Sequence, residues 1–152
     1  MKAILVLCIV CLQGFSATAQ NLNPKYDSAL AKKYNADDYG MKKYVLVILK
    51  TGSNITDDKK LRDSLFAGHM ANIKRLVEIN KLVIAGPLGK NDKTYRGIFI
   101  LDVRTTEEAN ALVQTDPAVK GELLAAEFYE WYGSAALPAY LDASEKVGKN
   151  SF

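Results

Sequence analysis

Cysteine is nearly absent. The 152-residue chain holds two, Cys8 and Cys11, both close to its start. Beyond them no thiol is available as a nucleophile, a disulfide partner or a thiolate metal ligand. Histidine is scarcer still, and the lone His69 excludes a multi-histidine metal site or a two-imidazole mechanism within one chain. No charge of one sign dominates: 20 Lys+Arg face 17 Asp+Glu, a net +3. The basic residues Lys59, Lys60, Arg62, Lys74 and Arg75 are scattered rather than interleaved with stacking aromatics, which argues against a nucleic-acid partner. Carboxylates are plentiful but lack metal-loop spacing, so no metal is expected. What remains, 49% hydrophobic and 24% charged, is the composition of one globular domain with tails.

The first residues form a separate unit. Lys2 precedes the apolar run Ala3–Leu12, and Ala17-Thr18-Ala19 follows before Gln20. A charged start, a short apolar core and an A-x-A end predict a secretory signal peptide over residues 1–19, cleaved after Ala19. The run is about half the roughly 20 residues that span a bilayer, so a retained anchor is disfavoured. The expected product is secreted, in the periplasm, with no membrane attachment and no cysteine.

Three further segments follow. Residues 20–41 are a polar lead-in with one helical signal: Asn23 as cap, Pro24 in the first turn, then Tyr26, Leu30 and Tyr34 four apart. Residues 42–133 carry dense periodic signals and should be the domain, and residues 134–152 read as a loosely packed tail. Within the domain, Lys43–Lys50 is a β-branched run that predicts a strand. Asp57 or Asp58 can cap a helix to about Asn80, with its apolar stripe at Leu61, Leu65, His69 and Ile73. Leu82–Ala85 is a short strand stopped by Gly86-Pro87, and Gly97–Val103 is the next. Thr105 and Glu108 make a capping box for a helix to about Thr115, broken by Asp116-Pro117. Glu122–Tyr132 is the last strand. The order β-α-β-β-α-β predicts an α+β ferredoxin-like fold with a four-stranded antiparallel sheet.

Both faces of the strands are apolar. In the first strand Tyr44, Leu46 and Ile48 alternate with Val45, Val47 and Leu49, and Ile98 and Ile100 alternate with Phe99 and Leu101. Two helices cover one face only, and neither tail is apolar enough to cover the other. A second copy, sheet against sheet, is the expected solution, with Val45, Val47, Leu49 and their neighbours as inter-subunit positions.

The ordered set His69-Met70-x-x-Ile73, NKLVIAGPLG (Asn80–Gly89), RGIFILDV (Arg96–Val103), TEEANALVQTDPAV (Thr106–Val119) and EFYEWYG (Glu127–Gly133) resembles the YCII-related (YciI-like) proteins. The resemblance covers about Lys43–Gly133. It implies a dimeric α+β barrel and a His–Asp pair in a pocket, carried here by His69 and Asp116. Most members have no established reaction, and a few relatives are lyases or dehalogenating enzymes on cyclic phenolic compounds. The leader and the long tail depart from the commonest, single-domain cytosolic members.

Each candidate residue has a second reading. His69, on an apolar stripe, suits either general acid–base work or a hydrogen-bonded place in the core. Asp116 before Pro117 suits either a partner for His69 or a turn residue bonding nearby backbone. Gly86 and Pro87 either stop a strand or bring bare backbone to a pocket rim. Arg96 pairs a substrate carboxylate or ends a strand in solvent. Trp131 packs in a core or dimer contact, or turns its N–H to a ligand. Without thiol, convincing serine site or metal spacing, proton abstraction with elimination or isomerisation of a small cyclic or aromatic acid is the leading expectation, with no cofactor. The alternative is a non-catalytic small-ligand-binding or sensing homodimer using the same pocket. Haem binding through His69 is the weakest option, because one histidine offers little else around a porphyrin.

Overall fold

The computed structural model describes residues 23–149, so the leader expected at residues 1–19 lies outside the described residues. A short helix, α1 (Ser28–Lys33), opens the chain, followed by β1 (Met41–Thr51), α2 (Lys59–Glu78), β2 (Leu82–Pro87) and β3 (Tyr95–Leu101). Then come α3 (Thr106–Val113), α4 (Pro117–Lys120), β4 (Leu124–Ser134), a 3₁₀ turn at Leu137–Tyr140 and α5 (Leu141–Val147). The four strands form one antiparallel sheet in the order β2-β3-β1-β4. This is the expected α+β architecture with a ferredoxin-like strand order.

The start signals act through specific hydrogen bonds. Asp58 caps α2, its carboxylate accepting from the N–H groups of Lys60 and Leu61. Thr105 caps α3 through the Glu108 N–H, while the Glu108 carboxylate reaches back to Arg104 N. The first helix differs from expectation. Asn23 holds only a turn, bonding Lys25 N and Tyr26 N, and Asp27 supplies the cap by accepting from Ala29 and Leu30. A carboxylate placed over two free N–H groups is the better cap, so α1 begins there.

β2 runs two residues beyond Ala85 and ends at Pro87, so Gly86-Pro87 lies within its last pairs rather than after it. Gly86 pairs with Ile98 and Pro87 with Gly97, which works because β2 is an edge strand, where a missing N–H need not break a ladder. The helix after Thr105 ends at Val113, and Pro117 starts a separate short helix with Asp116 as its cap.

The core fills one face of the sheet. Val45, Val47, Leu49, Phe99 and Leu101 pack under Leu76 of α2, Ala109 and Val113 of α3, and Ala118 and Val119 of α4. At roughly 1.5–3 kcal/mol per fully buried large side chain, this cluster supplies most of the hydrophobic stabilisation. Val45, Val47 and Leu49 therefore face the helices, and the expectation that they lie between subunits is corrected. The other face carries Tyr44, Leu46 and Ile48, whose ladder partners are Trp131 and Tyr129 on β4 and Ile100 and Ile98 on β3.

The tail is also more ordered than its composition suggested. Leu137 packs on Tyr44, Val83 and Ile100, Ala135 is buried, and the Tyr44 hydroxyl donates to the Ser134 carbonyl at 2.8 Å. The chain thus covers one end of its own second face. Leu46, Ile48, Ile84 and Ile98 stay half-buried, and Tyr129 is exposed.

Candidate active site

The dyad is assembled by a close helix contact. Gly68 on α2 lies against the Pro117 ring of α4, where an added Cβ would stand 2.7 Å from Pro117 Cγ. With no side chain in the way, the next residue, His69, comes alongside the residue before Pro117, Asp116. His69 Nδ1 sits 2.7 Å from Asp116 Oδ2. Asp116 is fully buried and His69 nearly so. The aspartate is at once a partner for the imidazole and a cap, since Oδ1 accepts the Ala118 N–H at 2.9 Å. Both readings of Asp116 therefore hold together.

The surroundings fix the ring. Phe99 of β3 stacks on the imidazole at 5.9 Å between centroids and 19° between planes, and Phe66 meets it edge-on at 6.2 Å. The stripe is not apolar throughout: Leu61 is exposed, and Asn72 is buried one turn beyond His69. Asn72 Nδ2 lies 3.4 Å from Asp116 Oδ2. Its Oδ1 accepts from Arg75 Nη2 and Nε at 2.7 and 3.2 Å, and Arg75 Nη2 also donates to Thr115 Oγ1 at 2.6 Å. Neither Asn72 nor Gly68 was singled out by sequence reasoning, although a glycine and an asparagine flanking a helical histidine were the available signals.

Burial pushes the Asp116 carboxyl up, but the hydrogen bond and charge of His69, with the Ala118 and Asn72 donors, outweigh it, and the pKa falls below the ordinary value. Asp116 is a carboxylate across the neutral range. A carboxylate only accepts, so a neutral His69 carries its proton on Nδ1 and presents a lone pair on Nε2. No buried side-chain nitrogen or oxygen among the described residues lacks a partner, and Nε2 has none, so it reaches solvent. Phe66 and Met70, both about two-fifths exposed, flank His69 on α2.

The other candidates are dispersed. Pro87 is on the dyad's face of the sheet, two positions along β2 from Ala85, the ladder partner of Phe99. Gly86 pairs with Ile98 on the opposite face. Arg96 is exposed at the bulge where β3 slips against Leu49 and Lys50, with no ion pair among the described residues. Trp131 packs against Tyr44 at 5.6 Å between ring centroids and 35° between planes, on the face away from the imidazole, so in one chain its N–H does not serve the dyad. Alternation places Trp131 and Gly86 on the face of the sheet away from the dyad.

Two surface clefts, of about 430 and 450 Å³, are lined by neither dyad residue. The first lies at the Lys42–Asp102 ion pair, the second beside Phe128 and Gly52. Among the described residues no helix is long and apolar enough to cross a membrane.

Comparison with known proteins bears on this geometry. A search of curated proteins finds no match. Among solved structures the chain is similar to 5-chloro-2-hydroxyhydroquinone dehydrochlorinase from Burkholderia phenoliruptrix, in complex with 2,5-dihydroxybenzoquinone. The two share 23% identity over 57% of this chain and 92% of that one, with a TM-score of 0.41. The YCII-related domain matches residues 43–131, from the start of β1 to Trp131 on β4, and contains both dyad residues. With more than half of its length in that match, the chain belongs to the YCII-related domain family.

Proposed function

We propose that the protein is an exported acid–base enzyme, working as a homodimer, that carries out elimination or isomerisation on a small cyclic or aromatic acid through His69 and Asp116. The observation that carries this reading is the 2.7 Å contact from His69 Nδ1 to a fully buried Asp116, with Nε2 left unpartnered. Nε2 takes a proton from a substrate carbon, and the electron pair left behind expels a leaving group or shifts a double bond. Asp116 holds the ring in place and stabilises the imidazolium that forms. The imidazolium then returns the proton, to the leaving group in elimination or to a second carbon in isomerisation. The stacked Phe99 and the half-exposed Phe66 favour a flat, ring-bearing ligand, and Pro87 on the same face is a rim residue for it.

The test is proton exchange and turnover followed by NMR in deuterated buffer, across a panel of hydroxylated aromatic acids and unsaturated lactones. The wild type should act on at least one. His69→Asn should lose that activity, and Asp116→Asn should lose on the order of 10²–10⁴-fold. A second reading, a non-catalytic binder, is favoured by the position of His69 outside both clefts. Binding that survives His69→Asn, with no exchange across the panel, establishes that reading instead.

The homodimer rests on the half-open second face, where Leu46, Ile48, Ile84, Ile98 and Tyr129 form an apolar strip. Light scattering should give twice the chain mass at micromolar concentration. Export rests on the sequence of residues 1–19, and the intact mass of protein from its native cell should correspond to a start at Gln20.

A further inference from the structure

We infer that Asn72 and Arg75 are positioning residues for the dyad: Arg75 sets the orientation of the Asn72 amide, and the amide pins the Asp116 carboxylate against His69. The inference rests on the acid–base reading for its purpose but stands on its own geometry.

An asparagine amide has two chemically opposite ends. A guanidinium can only donate, and Arg75 directs two N–H groups at Asn72 Oδ1, at 2.7 and 3.2 Å. The oxygen must therefore face Arg75, and Nδ2 must face Asp116 Oδ2, 3.4 Å away. That is also the oxygen bonded to His69 Nδ1. The carboxylate is held at both ends, with Oδ1 on the Ala118 N–H and Oδ2 between imidazole and amide. It has little freedom to rotate away from the ring.

Arg75 is itself fixed although it lies at the surface. Its Nη2 donates to Thr115 Oγ1, and the Thr115 hydroxyl donates to the Leu112 carbonyl at 2.6 Å. The line from Arg75 through Asn72 to Asp116 thus joins α2 to the α3–α4 connection that carries Asp116. Without Arg75 the amide oxygen keeps only the Thr115 hydroxyl, 3.1 Å away, as a donor, and a flip would turn Oδ1 toward a carboxylate, replacing a hydrogen bond with repulsion.

The ring itself reports the effect, because the chain has one histidine. The experiment is ¹⁵N NMR of ring-labelled protein at alkaline pH, which reads the ratio of the two neutral tautomers without any substrate. Wild type should be almost wholly Nδ1–H. Arg75→Met should move the ratio toward Nε2–H by roughly two- to tenfold, the worth of one hydrogen bond. Asn72→Ala should move it at least as far, and Arg75→Lys, which keeps a donor, should recover most of the shift. Asp116→Asn should abolish the preference. If Asp116→Asn shifts the ratio but Arg75→Met and Asn72→Ala do not, the positioning role is wrong while the dyad survives. If Asp116→Asn has no effect either, the dyad reading falls as well.

Discussion

The two faces of the sheet share backbone and register but differ in what they bury. The face under the helices is mostly buried, and its polar groups are matched except at His69 Nε2, which reaches solvent: Asp116 bonds His69 and Asn72 of α2. The opposite face is only partly closed. At one end Tyr44 lies beneath Trp131 and Leu137, its hydroxyl bonded and its pKa pushed up to about 12, mainly by burial. At the other end Lys50 and Glu127 pair at 2.5 Å while each stays about one-third exposed, and the middle is an apolar strip. A buried charge with all its partners in place is the arrangement of a reacting group held ready. A half-covered apolar strip with a polar margin is the arrangement of a contact surface. On the proposed reading, one sheet would separate chemistry from association.

The largest expected effect breaks that contrast directly. Val47→Lys places an unpaired charge at a fully buried position under the helices and should cost several kcal/mol, enough to unfold the domain. Leu46→Lys, one residue along on the other face, should leave the circular dichroism intact and convert the dimer to a monomer in light scattering. If both variants unfold equally, the second face is core rather than contact surface.

Asp116→Asn comes next. Losing a charge-assisted hydrogen bond in the interior should cost about 1.5–3 kcal/mol in urea unfolding at neutral pH. The pH dependence has a definite sign. The folded carboxyl titrates below its ordinary value, so its contribution is complete above the unfolded value of roughly 3.9 and is lost as pH falls through the folded one. The gap between wild type and Asp116→Asn should therefore narrow on acidification below that range.

Gly68→Ala tests the helix contact. In a free helix the change would stabilise by about 1 kcal/mol. Here the new methyl meets Pro117 at 2.7 Å, so the sign should reverse, with about 1–3 kcal/mol lost and α4 displaced from α2. The smallest effect is expected for Leu137→Ala, which uncovers part of the second face at about 1 kcal/mol and should leave the dyad's NMR signals unchanged.

Much of the fold was legible because its signals are local. Asp58, Thr105 and Glu108 announce their helices through bonds to N–H groups a few residues away, and the β-branched runs mark β1 and β3. The end of β2 was legible only to within two residues, because how far a strand pairs into a proline depends on whether it is an edge, and edge position is set by distant pairing. Which of its two readings Trp131 takes in one chain was not legible, because its face is decided by its register against Tyr44. The His69–Asp116 contact joins residues far apart in the chain, and only family resemblance suggested it. The glycine that permits it and the asparagine that braces it draw their meaning from α4, which no periodicity marks.

The burial of the dyad under the helices, on the side of the sheet away from the apolar strip, has a kinetic consequence. In a dimer joined through that strip, the two imidazoles lie on the outer sides of the assembly. Both sheets intervene, and sheets stacked face to face already stand roughly 10 Å apart. In that arrangement each centre would lie away from the junction. The proposed enzyme should then show hyperbolic saturation with a Hill coefficient of one, and a heterodimer with one His69→Asn subunit should keep half the turnover.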